Sequence, residues 1–165
     1  MSKLIVLFGN SGAGKSYVAD ILTKRFGYFS YNGDTALPKN MKEKILERSD
    51  VTTDMRRRFV KNIIDEIRNL SNIYDHIALH QALIKEHMRK QIWREYPDAI
   101  FIWVVCDEAI LKKRYLKRSY FNLGLEYLQV MMDAFEKPKH PHYVIRNDSD
   151  GSEKIIEQLQ VIIGH

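Results

Sequence analysis

Gly9-Asn10-Ser11-Gly12-Ala13-Gly14-Lys15-Ser16 follows directly on the apolar run Leu4-Ile5-Val6-Leu7-Phe8. Its spacing, G-x-x-x-x-G-K-[ST], is that of a loop that wraps phosphates. Gly12 and Gly14 let the backbone turn where side chains would clash, so the amides from Gly12 to Ser16 can converge on phosphate oxygens. A helix starting near Gly14 adds its positive end. Lys15 is long enough to reach β- and γ-phosphates, and the Ser16 hydroxyl suits a Mg²⁺ ion. A glycine-rich strand-to-helix turn without a ligand would share some of this composition. The β run before the octet and the amphipathic segment after it (Tyr17, Val18, Ile21, Leu22, Phe26) favour the nucleoside triphosphate.

Asp34 closes a second strand and should face the same phosphates. A carboxylate there can orient or deprotonate an attacking hydroxyl, or hold Mg²⁺ through water. The competing reading is an ordinary turn residue in Asn32-Gly33-Asp34. Arg114 and Arg118 stand four apart on one helix face, leading into Ser119–Gly124. That spacing suits a lid bringing guanidinium groups onto a transferring phosphoryl group, with Arg118 nearer the hinge-like segment. Arg57, in the run Thr53-Asp54-Met55-Arg56-Arg57-Arg58, could grip an anionic acceptor or be a solvated surface charge. The six histidines show no metal-ligand spacing: His76 and His80 are four apart but on a strand, and His140-Pro141-His142 reads as loop. No structural zinc is expected.

The elements that must position these groups alternate along the chain. Strands are expected at 4–8, 28–31, 73–79, 99–105 and 142–145, and helices at 15–26, 39–48, 55–70, 82–96, 108–118, 124–136 and 152–163. The unbroken run Ala99-Ile100-Phe101-Ile102-Trp103-Val104-Val105 is that of a strand covered on both faces. Alternation of this kind implies a parallel α/β sheet with right-handed crossovers, binding ligands at the carboxyl ends of its strands. The phosphate loop, Asp34, the 79–83 stretch and Asp107 all emerge there.

At 165 residues, 45% hydrophobic and 28% charged, the chain reads as one globular domain spanning 1–165, with a lid at about 112–124. The lone Cys106 fits a reducing compartment. A core strand at residue 4 leaves no room for a signal peptide, and no apolar run nears the roughly 20 residues that cross a bilayer, so a cytoplasmic setting is expected. The net charge of +5 suits an anionic nucleotide and acceptor as well as nucleic acid.

Taken together, the chain resembles small P-loop kinases of the shikimate/gluconate kinase type, over roughly 4–160, with gluconate kinase the nearer pattern. Gly33-Asp34, Pro38 and Asn40 answer to that family's second-strand element, with Leu37 where a His would stand. Thr53, Asp54 and Arg57 resemble its Thr-Asp-x-x-Arg element. Ala82, Leu83 and Lys85 answer in part to Ser-Ala-Leu-Lys, with Gln81 and Ile84 at the Ser and Lys positions. Arg114 and Arg118 match the lid's Arg-x-x-x-Arg, though Phe121-Asn122 replaces His-Phe, and Phe135-Glu136-Lys137-Pro138 resembles the closing Leu-Glu-x-Pro.

The resemblance implies a three-layer α/β/α P-loop NTPase fold with a five-stranded parallel sheet and a helical lid. It implies transfer of phosphate from ATP–Mg²⁺ to a hydroxyl of a small sugar acid, by a monomer or homodimer. ATP would contact the octet from Gly9 to Ser16, with Arg114 and Asn147; Lys15, Asp34 and Arg118 would act in catalysis. Asp34, Arg57 and Gln81 would meet the acceptor, and Ser16 the metal, with Asp34 through water. The alternatives are a nucleotide or polynucleotide kinase, suggested by the basic balance, and a non-catalytic ATP-binding P-loop protein. A GTPase-type switch is disfavoured, since no Asn-Lys-x-Asp is present and the sole Asp-x-x-Gly, Asp148 to Gly151, comes too late.

Overall fold

The computed structural model describes residues 3–119, 122–148 and 151–164. Strands β1 (Lys3–Phe8), β2 (Phe29–Asn32), β3 (His76–His80), β4 (Ile100–Val105) and β5 (Tyr143–Arg146) form one sheet in the order β2-β3-β1-β4-β5. All neighbours are parallel, so β1 lies at the centre with Val6 beside both Leu79 and Phe101. Successive strand side chains point to opposite faces. Leu4, Val6 and Phe8 therefore enter one core while Ile5 and Leu7 enter the other. This is why the first strand had to be apolar at every position after Lys3.

Helices close both faces. Helices α2 (Lys39–Leu46), α3 (Thr53–Leu70) and α4 (Glu86–Glu95) bury Met41, Phe59, Ile63, Met88 and Ile92 on the Val6 side. Helices α1 (Lys15–Phe26), α5 (Glu108–Lys117), α6 (Leu125–Ala134) and α7 (Glu153–Ile163) bury Val18, Leu22, Leu111, Leu128 and Leu159 on the other. The result is the expected three-layer α/β/α P-loop fold with a five-stranded parallel sheet. No helix among the described residues is long and apolar enough to cross a membrane.

Several boundaries differ from expectation for local reasons. Helix α3 starts earlier than residue 55 because the Thr52 side chain accepts a hydrogen bond from the Met55 amide at 3.1 Å, capping the first turn. The third strand starts at His76, and Ile73 is 72% exposed. The turn at Asn32 becomes a short 3-10 helix, Gly33–Ala36, capped by the Asn32 side chain. The helix expected from Ala82 begins only at Glu86. Residues 81–85 instead run as a pinned loop in which Leu83 adopts φ 46°.

A buried ionic cluster holds that loop. The Arg89 guanidinium is fully buried, lies over the Phe8 and Phe135 rings, and donates to the Leu83 carbonyl at 2.7 Å and to Glu86 at 2.8 Å. Glu86 also pairs with His140 at 2.9 Å. Burial pushes the Glu86 carboxyl upward, but hydrogen bonds from Arg89, His140 and the Lys139 amide outweigh it and hold its pKa at about 2, below the ordinary 4.5. That depression is stability present above about pH 4.5 and lost as pH falls through about 2. Glu86→Gln should therefore cost about 3 kcal/mol at neutral pH, because Arg89 would stay buried without its counter-charge. Denaturant unfolding would show that deficit shrinking between pH 4.5 and 2; a deficit independent of pH would show that packing rather than charge is responsible.

Candidate active site

The phosphate loop leaves the carboxyl end of central β1 and turns straight into α1. Gly14 caps the helix at φ 92°, ψ 31°, a left-handed conformation that disfavours a side chain. A Cβ there would also strike the Asn147 amide nitrogen. Asn147, fully buried after β5, donates through that nitrogen to the Ala13 carbonyl at 3.0 Å. Asn147 thus braces the loop from behind. Arg114 reaches the same carbonyl at 3.4 Å.

Lys15 folds back on its own loop, donating to the carbonyls of Gly9 at 2.9 Å and Asn10 at 3.0 Å. Desolvation pulls its pKa from 10.5 to about 8; nearby Asp34 opposes the shift and Arg118 adds to it. An ammonium so desolvated and so weakly compensated is prepared to exchange loop carbonyls for phosphate oxygens. The Asn10 side-chain oxygen is buried without a partner among the described residues.

Asp34 lies across from it. Its carboxylate accepts from the Gln81 side-chain amide at 3.0 Å, and Gln81 in turn accepts from the Leu83 amide at 2.6 Å. Gly33 makes this approach possible, since a Cβ at that position would sit 2.9 Å from the Gln81 side chain. The Asp34–Gln81–Leu83 chain therefore joins the end of β2 to the pinned loop after β3. Asp34's other carboxylate oxygen carries no hydrogen bond among the described residues.

These groups face one cavity of about 440 Å³, lined at one side by Ser11, Gly12, Gly14, Lys15, Ser16 and Asp34. Arg114 and Arg118 line it too, although Arg118 stands just past the end of α5, its guanidinium over the Tyr115 ring at 5.4 Å. Tyr120 and Phe121, in the hinge-like segment of the expected lid, lie outside the described residues. Arg57 does not join the cavity. It is exposed and pairs with Asp54 at 3.3 Å, and the neighbouring Arg56 lines the cavity in its place. Burial lowers the Arg56 pKa, with Glu136 and Tyr127 opposing. The signal was legible: Arg56 stands three and four residues before Phe59 and Val60, on the buried face of α3.

His80 is a further cavity residue that spacing did not single out. Burial, reinforced by the Lys15 charge, lowers its pKa to about 4, so it stays neutral at physiological pH. His76, four residues earlier, packs against Tyr28 with ring centroids 5.2 Å apart, so the pair shares no site.

The donor set fits a hydrated Mg²⁺ held largely by phosphate. Ser16 and Asp34 both offer hard oxygens to the cavity, and no cluster of three or more His, Cys, Asp or Glu that could hold a metal exists among the described residues. Mg²⁺ characteristically takes one or two protein oxygens and keeps the rest for water and phosphate.

Residues 5–123 match the family described as AAA domain. A probable gluconokinase of Xenopus tropicalis is 24% identical over 168 residues, covering 93% of this chain and 88% of that protein. Among solved structures, a gluconokinase from Sinorhizobium meliloti 1021 superposes with TM-score 0.77 at 20% identity, covering 98% of this chain and 94% of its own. A sugar kinase from Janibacter sp. HTCC2649 superposes with TM-score 0.83 at 16% identity, over 99% and 95%.

Proposed function

The chain belongs to the AAA domain family, and within it we propose an ATP-dependent kinase that transfers the γ-phosphoryl group to a hydroxyl of a small acid, gluconate- or shikimate-like in pairing a hydroxyl with a carboxylate. In fold and in likeness the chain is a phosphotransferase of the small P-loop kinase type. The observation that carries the reading is the shared cavity of Lys15, Ser16, Asp34 and Arg118, where phosphate-binding and proton-accepting groups converge.

The chain's own groups divide the work. Amides from Gly12 to Ser16 and the start of α1 would seat the β- and γ-phosphates. Lys15 would move from the Gly9 and Asn10 carbonyls onto their oxygens. Ser16, with Asp34 through water, would hold Mg²⁺, whose chemistry when bound is to neutralise charge on the phosphate oxygens. Gln81 fixes one oxygen of Asp34, and the other would take the proton from the acceptor hydroxyl as the new O–P bond forms and the bond to ADP breaks. Arg118 and Arg114 would offset the negative charge on the transferring group. Arg56 is the cation proposed to meet the acceptor's carboxylate. A single domain over 1–165, working in the cytoplasm as a monomer or homodimer, completes the proposal.

ADP release from ATP–Mg²⁺ across an acceptor panel tests it. Hydroxy acids should stimulate release well above the acceptor-free rate, whereas nucleosides and 5′-hydroxyl oligonucleotides should not. A response confined to oligonucleotides, steeply reduced by salt, would replace the reading with a polynucleotide kinase. ATP bound with no acceptor used would favour a non-catalytic binder.

A further inference from the structure

Away from the phosphates the cavity wall changes character. Leu37, Met41, Ile45, Phe59, Ile84 and Met131 line it, and Met41, Phe59 and Ile84 belong to the buried core, each no more than 6% exposed. None of these side chains offers a hydrogen bond of ordinary strength. Beyond the phosphate side, the polar lining is Asn32, His80, Gln81, Arg56, Tyr115 and Tyr127, and two of these are partly committed. Gln81 spends its amide on Asp34 and its oxygen on Leu83, and Arg56 gives one guanidinium nitrogen to the Val51 carbonyl at 2.8 Å.

The wall also has a direction. Val51, Arg56, Ile84, Tyr127 and Met131 are shared with a second cleft of about 840 Å³ beside α6, whereas Lys15, Ser16, Asp34 and Gln81 are not. Arg56 and Tyr127 therefore stand toward an outer mouth, and Asp34 toward the phosphate loop. The six apolar side chains named above line the same cavity. An acceptor reaching from one to the other would lay its middle carbons against methyl, thioether and aromatic groups. Hydroxyls facing those groups would lose water without a hydrogen bond from them in return.

We propose that the preferred acceptor is a hydroxy acid with an apolar body. Its hydroxyl meets Asp34, its hydrocarbon or aromatic middle packs along Leu37, Phe59 and Met131, and its carboxylate faces Arg56. The assignment rests on the kinase reading above and narrows it: the acid resembles gluconate in its two ends and differs from it in the middle.

The test compares 6-hydroxyhexanoate with gluconate, which has the same carbon chain with hydroxyls along it. Each is titrated calorimetrically into the full chain saturated with Mg²⁺ and a non-hydrolysable ATP analogue. The expected result is binding of 6-hydroxyhexanoate about tenfold or more tighter than gluconate. Hexane-1,6-diol, lacking the carboxylate, should bind more weakly than 6-hydroxyhexanoate, and Arg56→Gln should erase that difference. Leu37→Gln, at a half-buried position, should narrow the preference over gluconate. Gluconate binding as tightly or tighter, or neither acid binding, overturns the proposal. ADP release with ATP is read in parallel. Tight binding of the apolar acid without release would sink the kinase reading and leave the pocket's preference standing; efficient use of gluconate would do the reverse.

Discussion

Lys15→Ala is expected to lower acceptor-dependent ADP release by about 10³-fold, with the fold intact. Removing one preorganised donor from a developing oxyanion costs on the order of 10²–10³ in rate, and Lys15 also carries a full charge, which places it at the upper end. Stability should not suffer, because the described hydrogen bonds of its ammonium are only to the Gly9 and Asn10 carbonyls of its own loop. Circular dichroism and thermal unfolding would report that directly. The pH dependence adds a second signature. In the free protein the ammonium titrates at about 8, and triphosphate favours its charged form. ATP affinity should therefore weaken as pH rises through about 8, and in Lys15→Ala this dependence should vanish. Turnover retained in the variant would remove Lys15 from the mechanism.

Asp34→Asn should leave ATP affinity unchanged and lower kcat by about 10²-fold or more. The substitution is a narrow one. An Asn oxygen can still accept from Gln81 at the 3.0 Å distance Asp34 uses, so the join between β2 and the 81–85 loop survives. What disappears is the capacity to accept the acceptor's proton and to hold a hydrated metal. A fall in ATP affinity as large as the fall in kcat would point to the metal role; an unchanged kcat would make Asp34 a turn residue after all. Gly33→Ala is the structural counterpart, since the added Cβ would push Gln81 off its position without altering any charge.

Much of this site was legible as pattern. The octet from Gly9 to Ser16 predicted its loop and the helix Lys15–Phe26, because glycine freedom and helix-terminal amides act over adjacent residues. Five strands alternating with helices were readable because burial on both faces demands unbroken apolar runs. Assigning the acceptor cation to Arg57 was less successful. The motif Thr-Asp-x-x-Arg favoured Arg57, but the helix phase set by Phe59 and Val60 turns Arg56 inward and leaves Arg57 with Asp54 at the surface.

The helix expected from Ala82 failed for a different reason. Propensity over 82–85 competes there with hydrogen bonds from outside the segment: Gly9 donates to the Ala82 carbonyl and the Arg89 side chain to the Leu83 carbonyl, while the distant Glu136 receives the Glu86 amide. His140, readable only as loop, became a buried partner of Glu86 by the same long-range packing. Asn147 likewise serves Ala13, 134 residues away in sequence. By itself, then, the sequence determined the alternation of strands and helices and the phosphate loop with Lys15 and Ser16, since those depend on residues close together in the chain. What clamps the 81–85 loop and how apolar the acceptor wall is were decided only by tertiary structure, because both depend on contacts between distant segments that no local pattern records.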